Sequence, residues 1–272
     1  MERARIVALA DRLIGAHDRA STIDPITSSD PSFDVAAAYA VLREIQARRV
    51  ASGWQPVGRK IGFTNRTIWA RYDVDRPMWA YVYAHTVHRV PDGAARLALR
   101  GLVQPRIEPE VVFGLRGPVP VAGDARAVLD AVEWIAPGFE VVQSHFPDWK
   151  FQAPDCTAAF GLHGALVVGP TTSLDAAARD RLAVALPDFE LTLYRGSEVV
   201  ERGHGSHVLD SPALALQYLA RVLASQPDAP PLQAGEIVTT GTLTDAWPIS
   251  ADTRWRSDYG TLDLPALEVA FE

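Results

Sequence analysis

Two glutamates that lie two residues apart in an apolar segment constrain this chain more than any other feature. Glu108 and Glu110 belong to the run 103–112, which reads Val-Gln-Pro-Arg-Ile-Glu-Pro-Glu-Val-Val. In an extended strand, residues i and i+2 point to the same face, so both carboxylates project from one side. Two like charges this close raise the free energy unless a positive charge lies between them. The pattern predicts either a divalent-cation site or an exposed edge strand with an acidic face.

A third glutamate favours the cation site. Glu140 is a lone acid in the apolar run Phe139-Glu140-Val141-Val142. Burying an unpaired carboxylate is costly, so a role as third ligand beside Glu108 and Glu110 explains its position. Three carboxylates leave coordination positions open for water and a bidentate substrate, as Mg²⁺ sites usually do.

Two further segments contain polar groups suited to a substrate. Lys60 lies in the short strand-like run 57–65, where it predicts either a group that holds a carboxylate and moves protons, or a solvent-facing lysine. The run 234–242 ends in Thr240-Gly241-Thr242, whose hydroxyl and backbone donors suit a carboxylate. The run 202–207, Arg-Gly-His-Gly-Ser-His, is a glycine-rich loop that lacks the Gly-Lys-Ser/Thr ending of a phosphate-binding loop.

Composition limits the class of protein. The chain has 272 residues with 48% hydrophobic and 22% charged residues, which is typical of globular proteins. Its net charge of -7 argues against a nucleic-acid partner. The single cysteine, Cys156, indicates a reducing compartment and is expected to pack as a small apolar residue. Without an apolar leader or a membrane-length apolar run, we expect a soluble, cytoplasmic protein that does not enter a membrane.

Helical periodicity dominates the start of the chain, and strands dominate the rest. Apolar spacing predicts helices at 3–17 and 34–49, a helix at 124–135 and an amphipathic helix at 212–224. After residue 53 the sequence changes to short β-branched and aromatic runs broken by Gly and Pro, and includes expected strands at 165–168, 190–194 and 236–240. We therefore predict an N-terminal helical region at 1–53 and a β-rich body at 54–272.

Taken in order, these segments resemble the fumarylacetoacetate hydrolase superfamily, within it the branch of the 2-keto-4-pentenoate hydratases and 4-oxalocrotonate decarboxylases. The similarity covers most of the chain, and its most specific part is the spaced pair of glutamates followed by a distant third. The matching segments are 38–41, 59–64, 106–110, 139–144, 148–150, 203–206 and 235–241.

The resemblance implies an α+β fold, with a mixed β-roll body like that of fumarylacetoacetases and an N-terminal helical cap. It implies Mg²⁺ or Mn²⁺ on Glu108, Glu110 and Glu140, a catalytic Lys60, and a small-molecule 2-oxo acid substrate. The predicted substrate-binding residues are Thr240, Gly241, Thr242, Trp79, Ser206 and Lys150.

Two segments depart from the branch. Hydratases usually carry Pro-Asp-Phe-Gly where this chain has the run 77–80, Pro-Met-Trp-Ala, so the aspartate that helps to handle water is replaced by Met78. The run 157–160, Thr-Ala-Ala-Phe, stands where the branch has Val-Ala-Asp-Asn. Both changes make the pocket more apolar, which favours loss of CO₂ or a bulkier substrate over addition of water. His145, His204 or His207 are alternatives for the missing acid.

The leading hypothesis is a metal-dependent lyase on a 2-oxo (2-hydroxydienoic) acid in a catabolic pathway, similar to 2-keto-4-pentenoate hydratase. The alternatives are a 4-oxalocrotonate-type decarboxylase, an acylpyruvate-type C–C hydrolase and a non-catalytic partner subunit. From the resemblance we also expect a homo-oligomer, which can form a complex with a companion hydratase or decarboxylase.

Overall fold

The computed structural model describes residues 1–226 and 228–272. Helices form the N-terminal region and also lie between the strands of the body. They are α1 Arg3–Asp18, α2 Ile26–Ser29, α3 Val35–Ala51, α4 Trp69–Tyr72, α5 Ala125–Leu129, α6 Ala153–Ala158, α7 Ala176–Asp188 and α8 Pro212–Ala224. None of the helices in the described ranges is both long enough and apolar enough to cross a bilayer.

The strands begin directly after the N-terminal helices. They are β1 Pro56–Gly62, β2 Met78–Tyr83, β3 Val87–Arg89, β4 Ala94–Leu97, β5 Arg106–Leu115, β6 Val132–Val142, β7 His163–Val168, β8 Thr172–Ser173, β9 Glu190–Arg195, β10 Glu198–His204, β11 Ile237–Thr239, β12 Trp247–Pro248, β13 Arg254–Asp258 and β14 Leu267–Phe271.

Among the described residues the strands form two sheets. The larger has the order β2-β1-β11-β5-β6-β7-β3, with β12 beside β5 and β8 beside β6. The smaller has the order β10-β9-β13-β14-β4. Both sheets are mixed, since β1 runs parallel to β11 and β14 runs parallel to β4, whereas most neighbours are antiparallel. The architecture is the predicted α+β class.

The N-terminal helices pack on the body through a small apolar core of their own. Asp34 starts α3 by accepting a hydrogen bond from the Ala37 N–H, which satisfies one free donor of the first turn. Leu13 and Ile45 are buried with Phe160 of the body. The two long helices predicted at 3–17 and 34–49 are confirmed within a residue or two, because their apolar stripes match a helical period.

The helix predicted at 124–135 is wrong beyond its first turns. It ends at Leu129, and Val132 already belongs to the long strand β6. The indole of Trp134 lies against Gly114 of β5, so close that a Cβ there would stand 1.9 Å from Trp134 Cε2. This contact across the sheet, together with the β-branched residues of the segment, outweighs the helical spacing.

The helix α7 was not predicted, since the remaining segments were expected to continue in strands. Asp175 starts it by accepting from the Ala178 N–H, which is a local signal that the sequence does contain. Arg179 is buried and donates to the carbonyls of Leu129 and Val132, so it fastens α7 to the turn between α5 and β6. The helix 212–224 was predicted with the observed bounds.

Candidate active site with a carboxylate cluster

The pairing of β5 with β6 brings the three glutamates together. Glu108 lies directly opposite Glu140, and Glu110 lies opposite Gly138. One carboxylate oxygen of each glutamate lies within 4.8 Å of the others. The Tyr259 hydroxyl fixes this part of the ladder, because it donates to the Glu110 carbonyl at 2.6 Å and accepts from the Gly138 N–H at 3.1 Å.

Lys60 joins the cluster from β1. Its Nζ lies 2.9 Å from Glu140 Oε2, and its side chain is 5% exposed. Burial alone disfavours the ammonium, but Glu140, Glu108 and Glu110 outweigh burial and raise the pKa of Lys60. Of the two predicted readings, the solvent-facing lysine is therefore excluded.

Glu110 is held by the end of β11. The Thr239 hydroxyl and the Gly241 N–H, at 2.7 Å, both donate to its Oε2. Gly241 has φ +102°, and a Cβ there would lie 2.0 Å from the Thr64 hydroxyl oxygen, so glycine is needed at this turn. Burial first, and then the neighbouring carboxylates, raise the pKa of Glu110 well above its usual range.

Glu140 is oriented by a histidine on the next strand. Glu140 Oε1 lies 2.8 Å from Nδ1 of His163, whose Nε2 lies 2.8 Å from the Thr86 hydroxyl. Burial works against the Glu140 charge, but Lys60 and His163 outweigh it and lower the Glu140 pKa. The remaining oxygen, Oε2, is buried and accepts no hydrogen bond of normal geometry from the described residues, although Lys60 is close.

The donor set fits a hard divalent cation. Three carboxylates face one lysine, and no described group donates a hydrogen bond to the Glu108 side chain, whose pKa burial raises to about 7. Glu140 Oε2 and the Glu108 oxygens therefore have lone pairs available. Ligands on opposite sides of Mg²⁺ or a slightly larger cation stand roughly 4 to 5 Å apart, which is compatible with the observed spacing.

A cavity of about 260 Å³ opens beside the cluster. Among the described residues, the charged side chains that line it are Lys60, Glu108, Arg106 and Asp245. The Arg106 guanidinium lies 4.1 Å from the centre of the Trp149 ring, which also lines the cavity. The cavity therefore combines cations, carboxylates and an aromatic wall, an arrangement suited to a small anionic ligand.

The predicted site residues separate into two groups. Lys60, Glu108, Gly241 and Thr242 line the cavity, with Glu110 and Glu140 buried behind them. Thr240 is fully buried, and its hydroxyl donates to the Val111 carbonyl at 2.9 Å, so it fastens β11 to β5. Its side chain is engaged away from the cavity.

Three predicted substrate-binding residues lie elsewhere. Trp79 is buried with its indole N–H donating to Gln226, while the preceding Met78 faces the cavity, because neighbours on a strand alternate sides. Lys150 is 81% exposed beside Asp148. The Ser206 hydroxyl pairs with its neighbour His204 at 2.8 Å on the surface.

The glycine-rich loop is explained by packing. A Cβ at Gly205 would stand 1.9 Å from the Leu186 carbonyl oxygen, and one at Gly203 would stand 2.3 Å from that of Leu243. The two glycines therefore let the loop pass close to neighbouring backbone. Neither they nor Ser206 lines the cavity.

Sequence reasoning missed four polar residues of the site: His163, Thr239, Arg106 and Asp245. His163 begins a strand that was predicted to start at residue 165, so it received no attention. Thr239 and Arg106 lie in longer runs, in which other residues gave the signal for a site. Asp245 follows a strand end in a turn-rich segment, where a polar residue is unremarkable by pattern alone.

Comparisons with known proteins identify the family of this chain. The family model for the fumarylacetoacetate (FAA) hydrolase C-terminal domain matches residues 66–257. The chain is 33% identical over 246 residues to 2-hydroxyhexa-2,4-dienoate hydratase of Comamonas testosteroni, covering 90% of this chain and 89% of that protein. It is 29% identical over 251 residues to 4-oxalocrotonate decarboxylase of Pseudomonas sp. (strain CF600), covering 92% and 91%.

A solved structure agrees with the sequence relatives. The fold matches 4-oxalocrotonate decarboxylase of Pseudomonas putida G7, complexed with magnesium and adipate, with a TM-score of 0.90 and 26% identity, covering 100% of this chain and 99% of that one. The predictions of family and of a metal-dependent lyase are confirmed at the level of the family. This chain belongs to the fumarylacetoacetate hydrolase family, in the branch of 2-keto-4-pentenoate hydratases and 4-oxalocrotonate decarboxylases.

Proposed function

We propose that this chain is a divalent-metal-dependent lyase that acts on a 2-oxo (2-hydroxydienoic) acid and adds water to it, as a 2-keto-4-pentenoate hydratase does. The observation that carries the proposal is a cluster of three glutamates and one buried lysine at the wall of a cavity that also contains Arg106. The names of the relatives support the same reaction class.

Glu108, Glu110 and Glu140 would hold the cation. Their hard oxygen donors and their excess of negative charge suit Mg²⁺ or Mn²⁺, and a magnesium complex of a structural relative supports the first. When bound, such a cation supplies Lewis-acid stabilisation of negative charge on the substrate oxygens. Thr239 and Gly241 orient Glu110, and His163 orients Glu140, so both carboxylates are preorganised.

Lys60 would manage a proton during keto–enol conversion. Its Nζ is held at the cavity wall by Glu140, where the ammonium can donate a proton to a substrate carbon. Arg106 at the cavity wall would hold the substrate carboxylate, with Thr242 beside it. The hydroxyls of Thr240 and Thr242 and the Gly241 N–H already form hydrogen bonds within the protein. Asp245, at the cavity mouth, would handle the water that the replaced aspartate handles in hydratases.

A decarboxylase is the second candidate, favoured by Met78. This apolar side chain lines the cavity at the position where the hydratase branch usually has aspartate. A drier wall disfavours the addition of water and suits loss of CO₂. The relatives include both activities, so the reaction itself is the quantity to measure.

The test is an assay with Mg²⁺ or Mn²⁺ on 2-hydroxypenta-2,4-dienoate and 2-oxo-3-hexenedioate, following absorbance and CO₂ release. Loss of the dienoate without CO₂, abolished by Glu108→Gln and slowed by Asp245→Asn, is the expected result. CO₂ release from the dioate would instead assign the decarboxylase. Turnover of neither substrate by the metal-loaded protein would overturn the lyase assignment and favour the C–C hydrolase or the non-catalytic partner subunit.

The proposal also includes the arrangement of the fold, the assembly and the location of the protein. We retain a β-roll body at 54–272 with a helical cap at 1–53, a homo-oligomer that can associate with a companion hydratase or decarboxylase, and a cytoplasmic location. Co-purification with a companion enzyme and the mass in solution would test the assembly.

A further inference from the structure

A second cavity of about 510 Å³ adjoins the first. It lies between α3, the segment 73–77, the start of α6 and the end of α8. Its apolar lining is Val35, Ala36, Tyr39, Val74, Pro77 and Val222. Its volume is in the range of sites for sizeable ligands, whereas the first cavity alone is smaller.

Two side chains, Phe63 and Met78, line both cavities and therefore form the wall between them. The Met78 thioether passes over two glycines, because a Cβ at Gly62 would be 3.0 Å from its Sδ and one at Gly161 would be 3.4 Å from its Cε. Methionine is unbranched and adapts its shape readily. Side chains at Gly62 and Gly161 would crowd the thioether, so the two glycines leave Met78 the space that it occupies between the cavities.

The backbone of Phe63 also indicates that the position of this wall is specified by the structure. Its φ is +57°, a left-handed conformation that is costly for a bulky residue. The carbonyl of Phe63 accepts from the indole N–H of Trp69 at 2.7 Å, which helps to hold this turn. Unusual backbone at a site wall indicates a functional constraint on where the side chain points.

The charged residues of the second cavity are neutralised in pairs at its rim. Arg76 pairs with Asp75 at 2.8 Å, and Arg43 lies 3.6 Å from Asp228, with all four side chains more than a third exposed. Asp73 adds a further negative charge to the described lining. The described lining is therefore slightly negative in sum and offers no excess positive charge to a second carboxylate.

We propose that the second cavity binds the distal end of the substrate, and that this end is an uncharged alkyl or aryl tail. The inference rests on the proposed function, since the 2-oxo acid head would lie in the first cavity beside Lys60 and the glutamates. The two cavities meet at Phe63 and Met78, and a change of the Met78 rotamer would open the path between them. The apolar lining, with a rim that is slightly negative in sum, supplies the selectivity. The preferred substrate is then a monocarboxylic 2-oxo acid with a longer tail.

The test measures the binding of saturated 2-oxo acids by calorimetry in the presence of Mg²⁺. The probes are 2-oxopentanoate, 2-oxodecanoate and 2-oxodecanedioate. We expect 2-oxodecanoate to bind at least about tenfold more tightly than 2-oxopentanoate, a modest part of what full burial of five methylenes would give. The dioate, of the same length, is expected to lose that gain because its second carboxylate meets the acidic rim.

A pair of variants on α3 locates the effect. Ala36 is exposed and lines the second cavity, so Ala36→Trp fills it without disturbing the buried core. Ala47 is exposed three turns further along the same helix and lines neither cavity, so Ala47→Trp is the matched control. Ala36→Trp should remove the preference for the long tail and keep 2-oxopentanoate binding, and Ala47→Trp should keep both.

Three outcomes would overturn the inference. One is a tail preference that survives Ala36→Trp, and another is equally tight binding of the dioate. The third is a change in the oligomer mass with Ala36→Trp and no change in tail preference, which would make the cavity a contact between copies of the chain. If 2-oxopentanoate itself does not bind with Mg²⁺, the proposed function falls together with the inference, whereas the first three results leave the proposed function standing.

Discussion

Two regions of this protein bury ionisable side chains, and they treat charge in opposite ways. In the carboxylate cluster, Lys60 and Glu140 both favour their charged forms because each faces the other. In the cluster between α1, α3 and the body, which contains His17, Arg49 and His145, burial first and then the Arg49 charge lower the His17 pKa to about 4. His17 is therefore neutral, whereas Lys60 and Glu140 keep their charges.

The surroundings explain the difference. The His17 ring packs against Phe160 at 4.5 Å, and Arg49 lies over Trp54 at 4.2 Å while pairing with Asp18. Aromatic rings surround the histidine, and Asp18, whose Oδ1 lies 3.4 Å from His17 Nδ1, compensates only part of a second positive charge beside Arg49. The carboxylates border a cavity instead, where a ligand can supply the missing charge.

The comparison also separates two kinds of unpaired buried atom. His145 Nε2 and Glu140 Oε2 both lack a hydrogen bond in the described part of the chain. The first lies in a cluster of packed rings, where the missing hydrogen bond lowers the stability of the fold and indicates no ligand. The second lies 2.9 Å from Lys60 Nζ and among carboxylates beside a cavity, where a further lone pair is available to a cation. An unpaired atom indicates a ligand only when space for that ligand adjoins it.

The largest effect is expected when the carboxylate cluster loses a ligand. Glu110→Gln keeps the shape and removes a charge, so Mg²⁺ binding should weaken beyond detection and turnover should fall by about a thousandfold, since the cation supplies several kcal/mol of stabilisation. Calorimetric titration with Mg²⁺ and an activity assay check this. Glu236→Gln is the control, because this carboxylate pairs with Arg59 outside the cluster. Unchanged Mg²⁺ affinity in Glu110→Gln would contradict the ligand assignment.

Replacing Lys60 separates catalysis from metal binding. Lys60→Met should lower kcat by roughly 10²- to 10⁴-fold, the usual range for a lost proton-transfer group. Mg²⁺ should bind at least as tightly, because a competing positive charge has gone. Arg59→Met removes the neighbouring buried cation and is expected to reduce stability with little effect on kcat. Lost Mg²⁺ binding in Lys60→Met would show that the lysine organises the carboxylates instead.

A smaller effect is expected at the residue that orients Glu140. His163→Ala should weaken Mg²⁺ binding by about 10- to 100-fold, as losing a group that orients a metal ligand usually does. The control is His88→Ala on the neighbouring strand β3, where the histidine is exposed. The measurement is Mg²⁺ affinity together with the melting temperature. A lower melting temperature without a change in Mg²⁺ affinity would show that His163 contributes to packing and does not orient the metal ligand.

The smallest effect concerns the histidine cluster. Because the folded-state pKa of His17 is about 4 and its ordinary value is 6.5, the unfolded chain takes up the proton first on acidification. The stability that neutral His17 contributes is complete above pH 6.5 and is lost as the pH falls toward 4, by about 1 to 2 kcal/mol after allowance for partial exposure.

Chemical denaturation at pH 7 and pH 4.5, compared between the wild type and His17→Phe, measures this loss. The variant should show the smaller drop between the two pH values. His145, whose pKa burial also lowers, contributes in the same direction and remains in both proteins, and the Asp18 pKa is already below its usual range of about 3.8. Equal drops in both proteins would remove His17 as a source of acid sensitivity.

The sequence by itself determined the carboxylate pair and pointed to its third member. Glu108 and Glu110 share a face because strand geometry has a period of two, and a lone acid such as Glu140 in an apolar strand demands a partner. The long helices were also predictable, because α1, α3 and α8 have apolar stripes of helical period and Asp34 or Ser211 to start two of them. Such patterns are local, so they can be read without the fold.

Only the tertiary structure decided which polar groups meet. The register of β5 on β6 placed Glu108 opposite Glu140, the packing of Trp134 against Gly114 replaced a predicted helix by a strand, and β7 brought His163 to Glu140. The orientation of β2 turns the Met78 side chain toward the cavity and the Trp79 side chain away from it, toward Gln226. These contacts join residues far apart in the chain, and their free energy depends on burial and cross-strand neighbours that no local pattern contains.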